Sequence, residues 1–262
     1  MSGDRWAGGA AYESYVGRLS RRVAPVFVDW LDVPPDRRWL DVGSGTGALS
    51  STILASAAPR SVVGVDPSAS FVDHARATIA DDRARFEVGS ADALPLPDGS
   101  VDAVVAGLVL NFVPDIPAAL AEVRRVAAPG ARVGAYVWDY AGGMDVIRHY
   151  WEAAAAVDPA GVAAVGAEHF PICEPGALAA AFRDAGLREV DDRPIEIAAN
   201  YVGFDDYWAG FLTGIGPAPG FNMRLDEARR AAVQEQLRSS LPASPDGGVH
   251  LTARAWAARG AA

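Results

Sequence analysis

From about Arg38 onward, short apolar runs alternate with longer stretches in which apolar residues recur every three or four positions. That alternation is the pattern of βαβ units whose crossovers pack helices against a parallel sheet. It predicts strands over 38–42, 61–66, 84–88, 101–107 and 131–137, with helices over 48–58, 68–79 and 116–127 between them. Pro129-Gly130 is expected to stop the last of these helices. Further on, the pattern predicts a helix over 175–185, a strand over 189–197 with alternating apolar residues, and a final strand over 249–255. About fifty residues separate those last two strands, too many for a hairpin, and they include helix-like stretches at 204–211 and 225–241. They are expected to form an inserted cap over 199–247, and a second cap insertion is expected over 140–174. A helical stretch over 12–32 precedes the first strand and is expected to act as a lid. The whole of 1–262 therefore reads as one doubly wound α/β domain.

In such a sheet the ligand sits outside the carboxyl ends of the strands, so the residues ending each strand carry the functional information. The first strand ends in WLDVGSGTGAL, where Gly43-Ser44-Gly45-Thr46-Gly47-Ala48 also fits the G-x-G-x-x-G/A spacing of dinucleotide-binding folds. Asp41 precedes the first glycine by two residues. A carboxylate there would repel a pyrophosphate but attract an ammonium or sulfonium, which favours a cationic nucleotide. Asp66, ending SVVGVD, can accept both hydroxyls of a ribose, and with Pro67-Ser68 it can equally cap the next helix. Asp92 lies in GSADALPLPDG beside Ala91 and Ala93 and ahead of Leu94 and Leu96. An acceptor for an exocyclic amine between flat apolar walls suits adenine, although a solvated loop acid reads as well.

Composition removes several alternatives. All 23 basic side chains are arginine, so a Walker loop, a pyridoxal Schiff base and the Tyr-x-x-x-Lys pair of short-chain dehydrogenases are all excluded. A net charge of −10 argues against a nucleic-acid partner and for a small molecule. The single Cys173 cannot form an internal disulfide, and MSGDRWAGG lacks the basic-then-apolar pattern of a signal peptide, so a cytoplasmic location is expected. The longest apolar run, AVVAGLVLNFV, is shorter than the roughly 20 residues of a membrane-spanning helix, so no membrane partner is expected.

WLDVGSGTG, VVGVDPS, and SADALPLPDGSVDAVVAG with LVLNFVPD, in this order and spacing, resemble the motifs of class I S-adenosylmethionine-dependent methyltransferases. The similarity is greatest to the group that includes small-molecule and ubiquinone or menaquinone methyltransferases, and it covers roughly 12–137. It implies a Rossmann-like, seven-stranded, mostly parallel sheet with an antiparallel last strand, helices on both faces and helical cap insertions. S-adenosylmethionine is the implied cofactor. Gly43, Ser44, Gly45 and Gly47 would line its methionine end, Asp66 with Pro67 and Ser68 its ribose, and Asp92 with Ala93 its adenine. Asp41 would act on the ammonium through water, and Asn111 would lie near the methionine moiety or the acceptor. Tyr15 and Arg18, on the helix before the first strand, would supply hydroxyl and carboxylate contacts.

Methyl transfer from a sulfonium is an in-line displacement that asks mainly for alignment and exclusion of water. A hydroxyl or enol acceptor would gain from a base, for which Tyr140 and His169 are the first candidates and Asp139 and His149 the next. Each also reads as an ordinary loop or helix polar residue. Thirteen aromatic residues fall between Tyr136 and Phe221, which fits an aromatic core for the caps somewhat better than an aromatic-lined acceptor site. Asn111 and Asp139 alone do not make a metal site, so none is expected. The expected function is methyl transfer to a small, apolar or aromatic metabolite. A nicotinamide-dependent oxidoreductase and an inactive S-adenosylmethionine-binding partner subunit are the alternatives, and a monomer and a homodimer fit the sequence equally.

Overall fold

Strands β1 (Arg38–Val42), β2 (Ser61–Asp66) and β4 (Val101–Gly107) are apolar along almost their whole length and buried on both faces, as strands sandwiched between helix layers must be. With β3 (Ala84–Val88), β5 (Ala127–Trp138), β6 (Arg188–Tyr201) and β7 (Val249–Ala261) they form one seven-stranded sheet in the order β3-β2-β1-β4-β5-β7-β6. Neighbours from β3 to β5 are parallel, and β7 runs antiparallel to β5 with Arg132 opposite Ala261 and Trp138 opposite Ala255. The mostly parallel α/β sheet expected from the sequence is therefore present. This computed structural model describes residues 17–140, 142–165, 170–214 and 216–262. Tyr15 and His169 lie outside the described residues, as does the start of the expected lid.

The chain divides into two compact units, with the boundary falling inside β6 and β7. The sheet unit comprises Ser20–Trp138, Pro171–Ile195 and Ala255–Ala262. Its helices are α1 (Arg18–Leu31, which starts just before the boundary), α2 (Ala48–Ser56), α3 (Ala69–Thr78), α4 (Ile116–Val126) and α7 (Ala177–Asp184). Helix α3 starts on a Ser68 cap and α4 on an Asp115 cap, each side chain accepting from a backbone N–H three residues on. The α4 helix ends at Val126 with Ala127 as its cap, as expected just ahead of Pro129-Gly130, but β5 begins at Ala127 rather than at 131 and takes the Pro-Gly pair into the strand. Ala127 pairs with Val101 while Ala103 pairs with Arg132, so the sheet absorbs the two residues as a register shift. Gly130 takes φ +78°, and its N–H donates to Ala262 O at 3.0 Å.

The other unit comprises Asp139–Phe170, Glu196–Arg254 and the segment ending at Leu19. It contains α5 (Asp145–Val157), α6 (Pro159–Val165), α8 (Phe204–Ala209), α9 (Pro217–Arg224) and α10 (Glu227–Ser240). The single helix predicted over 225–241 is shorter than expected, because Asp226 caps a fresh start by accepting from Arg229 N–H at 2.8 Å. Aromatic rings make this unit's core: Tyr150 stacks on Phe211 at 4.4 Å, Phe204 on Trp208 at 6.2 Å, and Tyr207 meets Phe211 edge-on at 5.3 Å. Their polar ends are satisfied. Tyr150 Oη donates to Asn222 Oδ1 at 3.3 Å, Asn222 Nδ2 donates to Phe211 O at 3.0 Å, and Tyr207 Oη donates to Val146 O at 2.6 Å. Among the described residues, no helix is long and apolar enough to cross a membrane.

Candidate functional site

The strand order reverses direction between β1 and β4, which lie side by side with Asp41 opposite Val105. A crevice outside the carboxyl ends of these strands is the binding place that this topology creates. Two segments meet there. A Cβ on Gly43 would come within 2.3 Å of the Val109 side chain, so the glycine loop after β1 lies directly against the chain leaving β4. That chain is itself strained, since Leu108 holds φ +60°, with its N–H donating to Tyr136 O at 2.8 Å.

Backbone hydrogen bonds pin the loop to the end of β2. Gly43 and Ser44 both donate to Val65 O, at 2.7 and 3.1 Å, and Gly45 donates to Asp66 Oδ2 at 2.9 Å. The second carboxylate oxygen, Asp66 Oδ1, accepts from Ser68 N–H at 2.9 Å. Asp66, only 7% exposed, thus ties the glycine loop to the start of α3, whose cap is Ser68 rather than Asp66. Gly45 has φ +53°, yet a Cβ placed there would meet nothing within 4 Å. Its glycine serves the backbone turn and leaves open the space beside the loop. Two buried polar atoms here have no hydrogen-bond partner among the described residues: Ser44 Oγ and, on the 3-10 turn Leu110–Phe112, Asn111 Nδ2. Unpaired buried donors and acceptors are costly to a fold.

Asp41 is deeper, at 1% exposure, and its Oδ2 accepts from Ser50 Oγ of α2 at 2.7 Å. Burial pushes its carboxyl up to about 7, the Ser50 hydroxyl pulls the other way, and the nearby Asp66 charge adds to the rise. Ser50, itself wholly buried, was not singled out by the sequence, where it is one of several small residues in ALSSTILAS. No periodicity marks it, because the signal is its contact with a residue nine positions earlier.

The loop after β3 begins beside Asp66, with Gly89 N–H donating to Asp66 O at 3.1 Å. Asp92 and Ala93 are exposed, and Ser90 Oγ donates to Asp92 Oδ1. Glu122 and Arg125 of α4 hold the rest of the loop, with Leu94 N–H donating to Glu122 Oε2 at 2.9 Å and Arg125 donating to Leu94 O and Leu96 O. The structure thus gathers Asp41, the glycines, Asp66, Ser68 and Asn111 at one end of the sheet unit, with the Asp92 loop starting there.

The remaining candidates belong to the other unit. Arg18 is engaged by Asp206 at 3.1 Å, by Asn200 O at 3.1 Å and by the Tyr201 ring at 4.5 Å. Tyr140 packs on Phe170 with ring centroids 5.4 Å apart. Asp139, at 2% exposure, is ion-paired to Arg254 Nε at 2.7 Å and accepts from Gly142 N–H at 3.1 Å. Half-buried His149 has its pKa lowered by burial and by the Arg148 charge, with Glu152 at 3.6 Å opposing. At the opposite, amino-terminal edge of β1 to β3 lies a cavity of about 380 Å³ lined by Arg38, Arg60, Arg83 and Arg85. Each of these guanidiniums is matched to its own carboxylate: Asp102, Asp36, Asp81 and Glu87. Among the described residues, no group of three or more acidic, histidine or cysteine side chains is arranged to hold a metal ion.

Residues 40–134 match the methyltransferase domain family. An uncharacterized methyltransferase of Mycobacterium bovis is 39% identical over 132 residues, which cover 49% of this chain and 52% of that protein. A ubiquinone/menaquinone biosynthesis C-methyltransferase of Dinoroseobacter shibae is 36% identical over 121 residues, covering 45% and 48%. The chain thus spans about half the length of these curated relatives. Among solved structures, the YcgJ protein of Bacillus subtilis shares the fold, with a TM-score of 0.60 at 17% identity over 92% of this chain and 97% of that one. The match identifies residues 40–134 as a methyltransferase domain, and the seven-stranded order with its antiparallel β7 is that of the class I S-adenosylmethionine-dependent fold.

Proposed function

We propose that the protein transfers a methyl group from S-adenosylmethionine to a small, apolar or aromatic metabolite by in-line displacement. The observation that carries this reading is the glycine loop pinned to Asp66, with Ser44 Oγ and Asn111 Nδ2 left unsatisfied among the described residues. The cofactor supplies an electrophilic methyl on a sulfonium. What remains for the chain is to bind, orient and exclude water. In this reading Gly43, Ser44, Gly45 and Gly47 present backbone edges to the methionine end, and Asp66 with Pro67 and Ser68 holds the ribose diol. Asp92 and Ala93 serve the adenine, Asp41 acts on the ammonium through water, and Asn111 offers its unpaired amide N–H to the methionine carboxylate or the acceptor. Arg18 is proposed to exchange Asp206 for the cofactor carboxylate, with Tyr15 as its companion.

The lid over 12–32 and the caps over 140–174 and 199–247 are proposed to supply the acceptor-binding side chains. Tyr140 and His169 are the proposed bases where the acceptor is a hydroxyl or an enol. The likeness to a C-methyltransferase of quinone biosynthesis supports an aromatic ring as acceptor. Calorimetric titration with S-adenosylhomocysteine, followed by turnover over a panel of naphthohydroquinones, phenols and amines, tests the reading. Micromolar binding and methylation of at least one ring acceptor are expected. Absence of binding by folded protein overturns the proposal, and binding without turnover over the whole panel favours a non-catalytic binding subunit.

A further inference from the structure

We propose that Ser50 is a positioning residue for Asp41, setting the carboxylate so that cofactor binding expels a proton from the buried end of β1 into solvent. This inference rests on the methyltransferase reading, which brings a cationic ligand to that end of the sheet. Asp41 sits where a carboxylate has little help. Its partners across the sheet are Gly64 on β2 and Val105 on β4, neither of which carries charge. Among the described residues, the charged group bearing on it is Asp66 at the end of β2, which has the same sign, and α2 contributes the Ser50 hydroxyl and backbone N–H. A buried carboxylate with one strong donor and a like-charged neighbour divides between its protonated and ionised forms near neutrality, as its rise to about 7 indicates.

A ligand carrying an ammonium, or an ammonium and a sulfonium, brings the missing positive charge and favours the ionised form. Linkage then requires that binding release the proton that Asp41 carries in the free protein, and that affinity fall as the pH drops and this proton becomes harder to remove. The proton leaves Asp41 Oδ for the buffer, and no other bond changes. Ser50 enters because its hydroxyl donates to the ionised carboxylate. Without that hydroxyl the protonated form gains, so proton release extends to higher pH and neutral-pH affinity drops. A hydroxyl that merely filled space in α2 would change affinity equally at every pH.

The test is calorimetric titration of the full chain with S-adenosylhomocysteine from pH 6 to 9, repeated in phosphate and in Tris, whose different ionisation heats report the protons exchanged. Comparison with Asp41→Asn removes the contribution of the ligand's own amine. The expected wild-type release, relative to Asp41→Asn, is about half a proton per ligand at pH 7, falling toward zero by pH 9. Ser50→Ala is expected to move that release curve up by about one pH unit and to lower affinity at pH 7 several-fold, converging on the wild type at pH 9. Ser50→Thr, which keeps the hydroxyl, is expected to restore both. Binding with the same proton count in wild type and Asp41→Asn overturns the inference while leaving the methyltransferase reading intact. So does a Ser50→Ala affinity loss that is constant across pH. No binding by protein whose circular dichroism reports a folded chain overturns both.

Discussion

Asp66 shows how much one side chain can be asked to do. Both of its carboxylate oxygens accept backbone N–H groups, from Gly45 and Ser68, and in the proposed complex the carboxylate also accepts from the ribose diol. Asp66→Ala is therefore expected to weaken S-adenosylhomocysteine binding by on the order of 2 kcal/mol or more, because the diol loses a charged acceptor and the loop loses its tether. Calorimetry checks this, and unchanged affinity would contradict the ribose assignment. Asp41 poses the opposite problem, since it burdens the fold. Its ordinary value of 3.8 rises to about 7 in the folded protein, so between roughly pH 4 and 7 the folded chain holds a proton that the unfolded chain has lost. Stability from this group is complete below pH 4, declines as the pH rises through 7, and is level above. Asp41→Asn cannot ionise. Its stability relative to wild type is expected to grow from nothing near pH 4 to as much as about 4 kcal/mol at pH 8, while cofactor affinity falls. Urea unfolding at pH 5 and pH 8 reads the difference, and a gap that fails to widen with pH removes the basis for treating Asp41 as a strained functional group.

At the scale of elements, the loop after β1 does two jobs that separate cleanly between its glycines. Gly43 has φ +69°, and its missing Cβ lets Val109 close over it at the point where β1 and β4 part. Gly45, also at positive φ, faces space clear of other atoms to 4 Å. Gly43→Ala is expected to cost several kcal/mol of folding stability, from steric overlap added to left-handed backbone strain. Gly45→Ala is expected to cost only about 1 kcal/mol yet to reduce S-adenosylhomocysteine affinity tenfold or more, since in the proposed complex its methyl would project where the ligand approaches. Unfolding and binding measured on both variants distinguish a packing glycine from a ligand-clearance glycine, and equal losses in the two would refute the division. Such roles are partly legible in the chain itself. The glycine spacing and the acids ending β1 and β2 announce the loop, because parallel strands place ligand groups at fixed offsets from their own apolar runs. Ser50 and Leu108 are not announced. The first is defined by a contact across the β1–α2 turn and the second by a φ of +60° that leucine does not advertise. Pro129-Gly130 marks the end of α4 but does not announce that β5 begins ahead of it at Ala127, because pairing of Ala127 with Val101 lets the sheet host a break that a helix would not.

For the molecule as a whole, the division of labour follows the two units. The proposed cofactor residues from Asp41 to Asn111 fall within the sheet unit, whose alternating runs made its strands readable, whereas Tyr140 and the aromatic core belong to the other. That second unit was less readable because α6, α8 and α9 are short, α8 spanning only Phe204–Ala209, and because it is held by ring packing between residues far apart in sequence, such as Tyr150 and Phe211. Its aromatics serve chiefly as core: Tyr150, Tyr207 and Phe211 are at most 1% exposed. Phe211→Ala removes a ring that stacks on Tyr150 and also meets Tyr207 and Trp208, a change expected to destabilise by about 3–5 kcal/mol. Because the sheet unit holds most of the proposed cofactor contacts, S-adenosylhomocysteine affinity below the unfolding transition is expected to stay within about threefold of wild type, which on the logarithmic scale of binding is under 1 kcal/mol. Turnover of any ring acceptor found in the panel is expected to fall much further, through kcat/KM, if the second unit supplies the acceptor's surroundings. Paired unfolding, calorimetry and steady-state kinetics on this one variant decide the matter. Cofactor affinity that collapses in step with stability would mean that cofactor binding depends on both units, and would shift Arg18 and its Asp206 partner from peripheral contacts to the centre of the binding reaction.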